Sequence, residues 1–474
     1  MERIIKNVVY HTATKRKIHI LESLSESNTI IPSSLLADQL QCTNRTIRND
    51  IAKIKQNLPA GWDLKSITSR GYTLDKKPEE KLSSIIAPYL LNSEIHIILE
   101  GIFNHNYYTL EKWSQLLYMD KLTLKQILNK FRDTLRLFGL DFKFRTLQLV
   151  GDELHIRFFY SMYFYAMGKY KKTIPLHSCF VNKLEHIVSF HGIELDFDML
   201  IILIQIFINR NMKKYYYNPK NNNTNIAFSE NTTNFTNCIL SEIEKLYNLK
   251  LPENEQRFLK NSLFLILEGD FQDKKNIMNF YRDSNTQLYD SYISILNEIS
   301  NIINLEETVT EKIQFDLFFE LHKIYTLKAF NFPTNYLLSE YKELNKGYPE
   351  LMVIYNSISP LITKYNKVSS QNKLNEDEIH YITFNILSNI NFSAQINTLL
   401  LLSGTSSLKK FIYNKLDSSL GNSLLFHTHF NNNINYDFII TNRNITNNQI
   451  PVIQISNKVT LKDINNIKKY FYSN

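Results

Sequence analysis

The stretch LADQLQCTNRTIRNDIAKIKQNLP, residues 36–59, decides how the N-terminal part of the chain is interpreted. Within it, Ile47, Ile51 and Ile54 recur at helical spacing and predict a helix with one apolar face. Thr43 precedes this helix, at the position where a hydroxyl caps free N–H groups. The helix opens with side chains that donate and accept hydrogen bonds, beside two guanidinium groups: Thr43, Asn44, Arg45, Thr46, Arg48 and Asn49.

Two shorter helical segments come before this helix, and an alternating pattern follows it. Residues 14–27 are amphipathic with a basic start, and residues 33–40 predict a short second helix. Residues 62–74 alternate between apolar and polar side chains on both sides of SRG, which predicts two strands joined by a glycine-bearing turn. Three helices followed by such a hairpin, or wing, are the layout of a winged helix-turn-helix.

The third helix stands in the recognition position, whose N-terminal residues meet base edges in the major groove of DNA. Arginine can make two hydrogen bonds to guanine, and asparagine can make two to adenine. Arg45 and Arg48 lie three residues apart and share the face opposite the three isoleucines. Lys53 and, in the wing, Arg70 are expected to reach phosphates. The alternative is a solvated basic face on a purely structural helical domain.

The pattern of the first module is repeated at an offset of 77 residues, in WSQLLYMDKLTLKQILNKFRDTLRLFGLDF, residues 113–142. At this offset Leu124 aligns with Ile47. A leading helix at 93–104 and a wing with its own glycine complete the second copy. The polar side chains of its recognition helix are less suited to base contacts than those of the first copy. They are Lys121, Thr123, Lys125, Gln126 and Asn129. Either this copy contacts bases, or it keeps the fold for packing and lends only phosphate contacts.

The middle of the chain predicts helices in two related groups. LPENEQRFLKNSLFL, residues 251–265, resembles LNEDEIHYITFNILS, residues 374–388. A second pair, at 197–213 and 315–331, repeats with a similar period, which predicts two homologous helical bundles. From residue 394 buried strands alternate with helices, which favours a small parallel α/β domain. Its loop at 404–407 lacks the Walker lysine and the GxGxxG spacing, so no nucleotide site is expected.

Composition adds little to this interpretation. A net charge of +8 fits a polyanion-binding protein, but many inert proteins carry as much. Cys42, Cys179 and Cys238 are widely spaced and form no metal-ligand pattern, so we expect reduced thiols, no metal and no cofactor. The sequence lacks a signal-peptide pattern and any apolar run near ~20 residues, which predicts a cytoplasmic protein without membrane contact.

The order of these elements resembles one family throughout: the Mga/AtxA-type transcription regulators of Gram-positive bacteria, which contain phosphotransferase-regulation domains (PRDs). TNRTIRNDI, residues 43–51, looks like the first recognition helix of that family. NYDFIITN, residues 435–442, followed by IPVIQIS, looks like its C-terminal domain, which is similar to the sugar-transport component EIIB. Within the family the chain resembles most the AtxA/AcpA/AcpB group of virulence and capsule regulators of bacilli.

The resemblance implies a mainly α, multidomain fold. The domains are expected to be a first winged helix-turn-helix at 1–78, a second, Mga-like one at 79–170, PRD1-like and PRD2-like bundles at 171–284 and 285–393, and an EIIB-like α/β domain at 394–474. It further implies a positive transcription regulator that binds double-stranded DNA, dimerises through the EIIB-like domain and answers to proteins of the sugar phosphotransferase system.

Three positions depart from the pattern of the family that the chain resembles. Asp198 and Asn385 stand where AtxA-type members can carry phosphorylated histidines; Asp198 either mimics a fixed negative charge or only solvates its helix. The remaining candidates for phosphorylation are His191, His322 and His380. Active EIIB domains carry a cysteine after the first strand, whereas this chain has Ser403, so thiol phosphotransfer is excluded there.

Two other classes of protein were weighed against a DNA-binding regulator. A degenerate phosphotransferase component would be an enzyme, but the missing cysteine and the absence of a nucleophile–base pair in the sequence argue against catalysis. An RNA-binding antiterminator also carries PRDs, but begins with a small β-rich domain instead of a helix-turn-helix. Retention on duplex DNA against hairpin RNA separates the DNA-binding regulator from the RNA-binding antiterminator.

Overall fold

The structure is a computed structural model, mainly helical, in which two compact units divide the chain. One unit comprises residues 1–289 with 318–340, and the other comprises 290–317 with 341–474. The residues that the structure describes are 2–27, 29–77, 80–171, 176–218, 228–303, 307–334, 349–368, 373–389, 396–403, 405–420, 424–431, 434, 436–443, 450–456, 458–460, 463–464 and 466–467.

The first module has the three helices and the hairpin expected from the sequence. After a leading helix, α1 Glu2–Val8, its elements are α2 Thr12–Glu26, α3 Ser33–Gln39, α4 Asn44–Asn57, β1 Trp62–Ile67 and β2 Gly71–Lys76. The Thr43 hydroxyl accepts a hydrogen bond from the N–H of Thr46 at 3.2 Å, which confirms the predicted cap of α4. β1 and β2 pair antiparallel and form the wing.

Gly71 at the start of β2 is required by a close backbone approach. Tyr72 and Ile31 exchange two backbone hydrogen bonds at 2.9 and 3.0 Å, which tie the wing to the segment before α3. Gly71 has φ +139°, and a Cβ atom there would lie 2.1 Å from the Ile31 carbonyl oxygen. Only glycine tolerates that conformation and that distance.

The second module repeats the first with its own caps and core. Its elements are α5 Leu82–Leu91, α6 Glu94–Phe103, α7 Leu110–Leu116, α8 Lys121–Leu137, β3 Asp141–Lys143, β4 Gln148–Val150 and α9 Glu153–Gly168. Asp120 caps α8 through the Thr123 N–H at 3.0 Å, as Thr43 caps α4. Leu124, Leu128 and Phe131 are buried where the three isoleucines of α4 are buried. Caps and core therefore confirm the repeat.

Helix α1, which sequence analysis missed, packs with the second module although it precedes the first. It contacts α6, α8 and α9, and the Asn7 amide donates to the Thr134 hydroxyl at 3.0 Å. Ile4 and Val8, one helical turn apart, are fully buried. Since α5 in turn packs against α2, the two modules share one continuous core.

Nine further helices lie between α9 and the C-terminal strands in the described part of the chain. Five lie between residues 178 and 284: α10 Ser178–His191, α11 Phe197–Met212, α12 Glu230–Tyr247, α13 Glu253–Phe264 and α14 Phe271–Ser284. The next four are α15 Thr286–Ile303, α16 Glu307–Ala329, α17 Pro349–Val368 and α18 Glu376–Ser388. In the predicted repeat of α13 and α18, Glu255 and Glu378 occupy the same position, and both are fully buried.

The C-terminal strands form the parallel sheet that the sequence predicts. They and their helix are β5 Ile396–Leu401, α19 Ser406–Leu420, β6 Leu424–His427, β7 Phe438–Thr441 and β8 Val452–Gln454. The strand order is β6-β5-β7-β8, and every neighbouring pair is parallel. Leu400 and Ile440 of the central strands pack on Ile412 and Leu416 of α19.

A buried charge network joins α9 to the first group of helices. Glu255 of α13 accepts hydrogen bonds from Arg157 of α9 at 2.8 and 3.1 Å, and from the Asn211 amide at 2.8 Å. Glu153 accepts from Arg157 at 2.9 Å and from Arg210 of α11 at 2.7 and 2.8 Å. Two arginines and two glutamates thus neutralise one another away from water.

The substitution Glu255→Gln is expected to destabilise the chain by about 3–5 kcal/mol, because the buried Arg157 and Arg210 would be left with the single carboxylate of Glu153. Thermal unfolding followed by circular dichroism measures the loss. The matched control is Glu253→Gln on the same helix, whose carboxylate is exposed beside Arg257 and whose loss should leave the transition unchanged. Equal shifts for the two variants would contradict the importance assigned to the network.

Candidate nucleic-acid interface

The head of α4 exposes most of the side chains that the sequence assigned to DNA. Thr43 and Thr46 are engaged in the cap, where their hydroxyl oxygens also lie 2.9 Å apart. Of the other residues predicted on this helix, Asn44, Arg45, Arg48, Asn49 and Lys53 have exposed side chains. Ile47, Ile51 and Ile54 are buried on the other side, so α4 presents a polar, cationic face while its apolar face is held in the core.

An ion pair that sequence analysis missed holds α4 against α2. Arg16 Nε donates to Asp50 Oδ2 at 2.8 Å, and Asp50 is only 4% exposed. The available signal was an aspartate on the isoleucine side of the helix, which demands a cationic partner when it is buried. Because Asp50 is paired internally, its charge is directed away from the outer guanidinium groups.

Arg45 and Arg48 have no ion pair or side-chain hydrogen bond within the part of the chain that the structure describes. Arg70 is likewise exposed, in the three-residue turn between β1 and β2. Lys65 of the same wing is different, because it is bound to Asp75 at 2.6 Å. This hydrogen bond raises the pKa of Lys65. The first module therefore keeps its cations free at the helix head and at the turn of the wing.

In the second module, several of the corresponding polar side chains already bind neighbouring residues. Lys121 is paired with Glu111, and this hydrogen bond lowers the pKa of the Glu111 carboxyl. Thr123 donates to the capping carboxylate, and the Asn129 carbonyl accepts from Arg132 at 3.5 Å. Among the five residues predicted there, Lys125 and Gln126 are exposed without a partner among the described residues.

The second wing adds cations that sequence analysis did not select. Arg132 of α8 binds Asp141 of β3 through two hydrogen bonds of 2.6 Å, which anchor the wing and lower the pKa of the Asp141 carboxyl. Lys143 and Arg145 follow in the wing and are exposed. The alternation in FKFRT was the signal available for them, because it places both cations on the solvent side.

The three candidate histidines occupy different environments. His191 is half-buried at the end of α10, with Nδ1 3.0 Å from the Asn231 side-chain oxygen. His322 in α16 lies among aromatic rings, with Nδ1 3.0 Å from the Tyr281 hydroxyl. Burial lowers the pKa of His322 to about 4. His380 in α18 stacks on Tyr355 and also contacts its hydroxyl.

The other two positions singled out from the sequence lie in α11 and α18. Asp198 is exposed in the first turn of α11, where a carboxylate interacts favourably with the helix dipole. The actual cap of that helix is Asp196, which accepts from the Met199 N–H at 3.0 Å. Asn385 is half-buried in α18.

The end of β5 is bound to the end of β7 at the position expected for a catalytic cysteine. The Ser403 N–H and hydroxyl both donate to the Asn442 side-chain oxygen, at 2.8 and 3.2 Å. The Asn442 amide donates back to the Ser403 carbonyl at 2.9 Å. Gly404, the next residue of the predicted loop, lies outside the described residues.

A search of the described residues finds no group of three or more His, Cys, Asp or Glu side chains that could hold a metal ion. In the same residues, no single helix is long and apolar enough to cross a membrane. Only α5 and α6 taken together meet the length and composition test, and they are bent by 76°.

Two family models match the N-terminal modules. A model described as an HTH domain matches residues 16–73, and a model described as the Mga helix-turn-helix domain matches residues 78–164. The first range includes α3, α4, β1 and the start of β2, and the second includes α5 to α8, β3, β4 and most of α9.

Relatives similar over almost the whole chain are regulators of Bacillus anthracis. Capsule synthesis positive regulator AcpB is 22% identical, covering 96% of this chain and 98% of its own length. The anthrax toxin expression trans-acting positive regulator is 23% identical, covering 96% and 97%. Capsule synthesis positive regulator AcpA is 24% identical, covering 90% and 92%. The chain is thus a full-length homologue of the AcpB, AtxA and AcpA regulators, with an HTH domain followed by an Mga helix-turn-helix domain.

Proposed function

We propose that this chain is a positive transcription regulator that binds double-stranded DNA through the head of α4, and that it controls virulence- or capsule-type genes. The observation that carries the proposal is the pair of unpaired guanidinium groups, Arg45 and Arg48, on a helix held rigidly in the recognition position. Asn44 and Asn49 supply further base contacts, and Lys53 and Arg70 bind phosphates. Three full-length relatives that are named positive regulators support the same conclusion.

In this proposal the second module binds beside the first and contributes mostly phosphate contacts. Lys125 and Gln126 are its available polar residues on α8, whereas Lys121, Thr123 and Asn129 are held by neighbours. Arg145 extends the phosphate contacts to the second wing. We propose the domain boundaries predicted from the sequence, after residues 78, 170, 284 and 393.

The regulatory half of the proposal assigns phosphotransferase-system control to the helical bundles. A phosphoryl donor needs an accessible imidazole, which favours His191 over His322, whose ring is surrounded by Phe264, Phe280 and Tyr281. Asp198, exposed in the first turn of α11, supplies a permanent negative charge at the position where relatives of the AtxA type can carry a histidine.

The C-terminal α/β domain is proposed to be EIIB-like and to hold two chains together. The small parallel sheet, the serine in place of the cysteine and the loop bound by Asn442 support a binding role without phosphotransfer. Two exposed aromatic side chains, Phe411 of α19 and Phe430, offer apolar surface for a second copy.

Replacing Arg45 and Arg48 together by alanine is expected to abolish sequence preference and to leave a weaker, salt-dependent background. Each arginine that reads a guanine is worth about 1–3 kcal/mol of discrimination. Binding of the full chain to a duplex from its own upstream region, against a scrambled duplex and hairpin RNA, measures the effect at several salt concentrations.

The control for that experiment is the double variant Lys409→Ala/Lys410→Ala, which removes the same charge from the exposed surface of α19. It should retain the sequence preference. Unchanged preference in the arginine variant would refute reading by α4, and stronger binding of the native chain to hairpin RNA would favour an antiterminator.

Light scattering is expected to give a mass twice that of the 55.9 kDa chain. Phe411→Glu should shift the chain toward the monomer, because it places a charge in the proposed contact. Lys410→Glu, one residue earlier and also exposed, introduces the same group and should leave the dimer intact. A monomeric native chain, or equal behaviour of the two variants, would exclude this dimer surface.

His322 is expected to make the chain less stable as the pH falls from 7 to 5. Its folded pKa of about 4 lies below the ordinary value of 6.5, so over this window the unfolded state binds the proton and the native state does not. The loss amounts to about 2 kcal/mol at pH 5. Thermal unfolding should show a smaller pH dependence for His322→Gln, whereas His186→Gln, at an exposed ring, should match the native chain. Identical profiles for His322→Gln and the native chain would mean that this imidazole is accessible to solvent.

A further inference from the structure

The second recognition helix carries an exposed leucine where the first carries a DNA-reading arginine. Both helices are capped by the preceding residue, Thr43 in α4 and Asp120 in α8. The second residue of each helix is then Arg45 in one module and Leu122 in the other. Leu122 is 69% exposed, although leucine normally seeks the core.

The turn before each recognition helix shows the same substitution of apolar for polar. Gln41 and Tyr118 both adopt the left-handed conformation, with φ +50° and +51°, so the two turns have the same backbone. Tyr118 is 97% exposed, and Leu116 at the end of α7 is also exposed. We call Leu116, Tyr118 and Leu122 the apolar head of the second module.

The cations near the apolar head favour a polyanion as its partner. Lys125 lies one turn after Leu122 on the same helix, and its side chain is exposed. Lys143 and Arg145 are exposed on the wing that follows. A surface that binds an ordinary protein partner would be expected to lack such a set of unpaired cations at its core, because charged residues are depleted there. Duplex DNA satisfies both the cations and the apolar head.

We propose that the apolar head of the second module recognises thymine through its C5-methyl group in the major groove. This methyl is the apolar feature that the groove edges of the base pairs present, and apolar side chains are its usual partners. Leu122 stands at the helix position from which Arg45 reads bases in the first module, so the same docking brings it to a base edge. The inference rests on the proposed function and specifies what the second module reads.

The division of labour follows from the chemistry of the two heads. The first module discriminates by hydrogen bonds from guanidinium and amide groups. The second discriminates by packing Leu122, with Tyr118 beside it, on thymine methyl groups, while Lys125 and the wing hold phosphates. The preferred site is therefore rich in A·T pairs on the side bound by the second module.

Replacement of thymine by uracil tests the inference, because it removes the methyl group and leaves every hydrogen-bonding group and charge of the base in place. The full chain is titrated with a duplex from its own upstream region, prepared with either thymine or uracil. Native protein should bind the uracil duplex more weakly, by about fourfold for each methyl contacted. Leu122→Ala/Tyr118→Ala should bind the thymine duplex more weakly and should no longer distinguish the two.

The matched control is Leu137→Ala, which removes an exposed leucine from the last position of the same helix. It should retain the native preference for thymine. Circular dichroism checks that the variants fold, which is expected because the replaced side chains are exposed.

The remaining outcomes separate this inference from the proposed function. Equal binding of both duplexes by the native chain would overturn methyl recognition, while leaving DNA binding by α4 intact. A thymine preference that survives in Leu122→Ala/Tyr118→Ala would overturn it too, because the preference would then come from DNA shape or from the first module. A variant with native DNA binding but lost transcription activation would assign the apolar head to a protein partner. Failure to bind either duplex above scrambled DNA would refute the proposed function itself.

Discussion

Burial of the Glu255 carboxylate is the constraint on which the larger unit depends. A fully buried carboxylate is stable only when its charge and lone pairs are satisfied, and here Arg157, the Asn211 amide and the Tyr217 N–H supply the partners. These donors come from α9, from α11 and from the segment after it. Helix α9 therefore cannot separate from α11 and α13 without leaving charge uncompensated.

The two modules show how one scaffold carries two kinds of chemistry. Their caps, turns and buried positions agree, because each of these features determines whether the chain folds. Their exposed heads differ, because solvent-facing positions contribute little to stability and are free to change. Arg45 and Leu122 occupy the same place on the scaffold, yet one is suited to hydrogen bonds and the other to a methyl group. The duplication thus permits two distinct readings within a single rigid pair.

The same contrast between position and environment applies to the regulatory residues. As letters in the sequence, His191, His322 and His380 are equivalent. Packing distinguishes them, since burial among aromatic rings lowers the pKa of His322, whereas the half-buried ring of His191 lies beside the Asn231 amide and Phe235. The environment of Ser403 is also set by packing, because its hydrogen-bonding groups at the end of β5 are engaged by the Asn442 side chain.

What the sequence by itself determined is local: the helix after Thr43, its wing, the second copy of the module, in which Leu124 aligns with Ile47, and the parallel C-terminal sheet. Capping, turn chemistry and hydrophobic period act over a few residues and are therefore readable from the chain. The tertiary structure alone decided the docking of α1 on the second module and the pairing of Arg16 with Asp50. It alone also decided which polar side chains are engaged by neighbours, as Lys121 is by Glu111, and which are not. Such partners lie far apart in the chain, 34 residues for Arg16 with Asp50 and 98 for Arg157 with Glu255, so only folding brings them together.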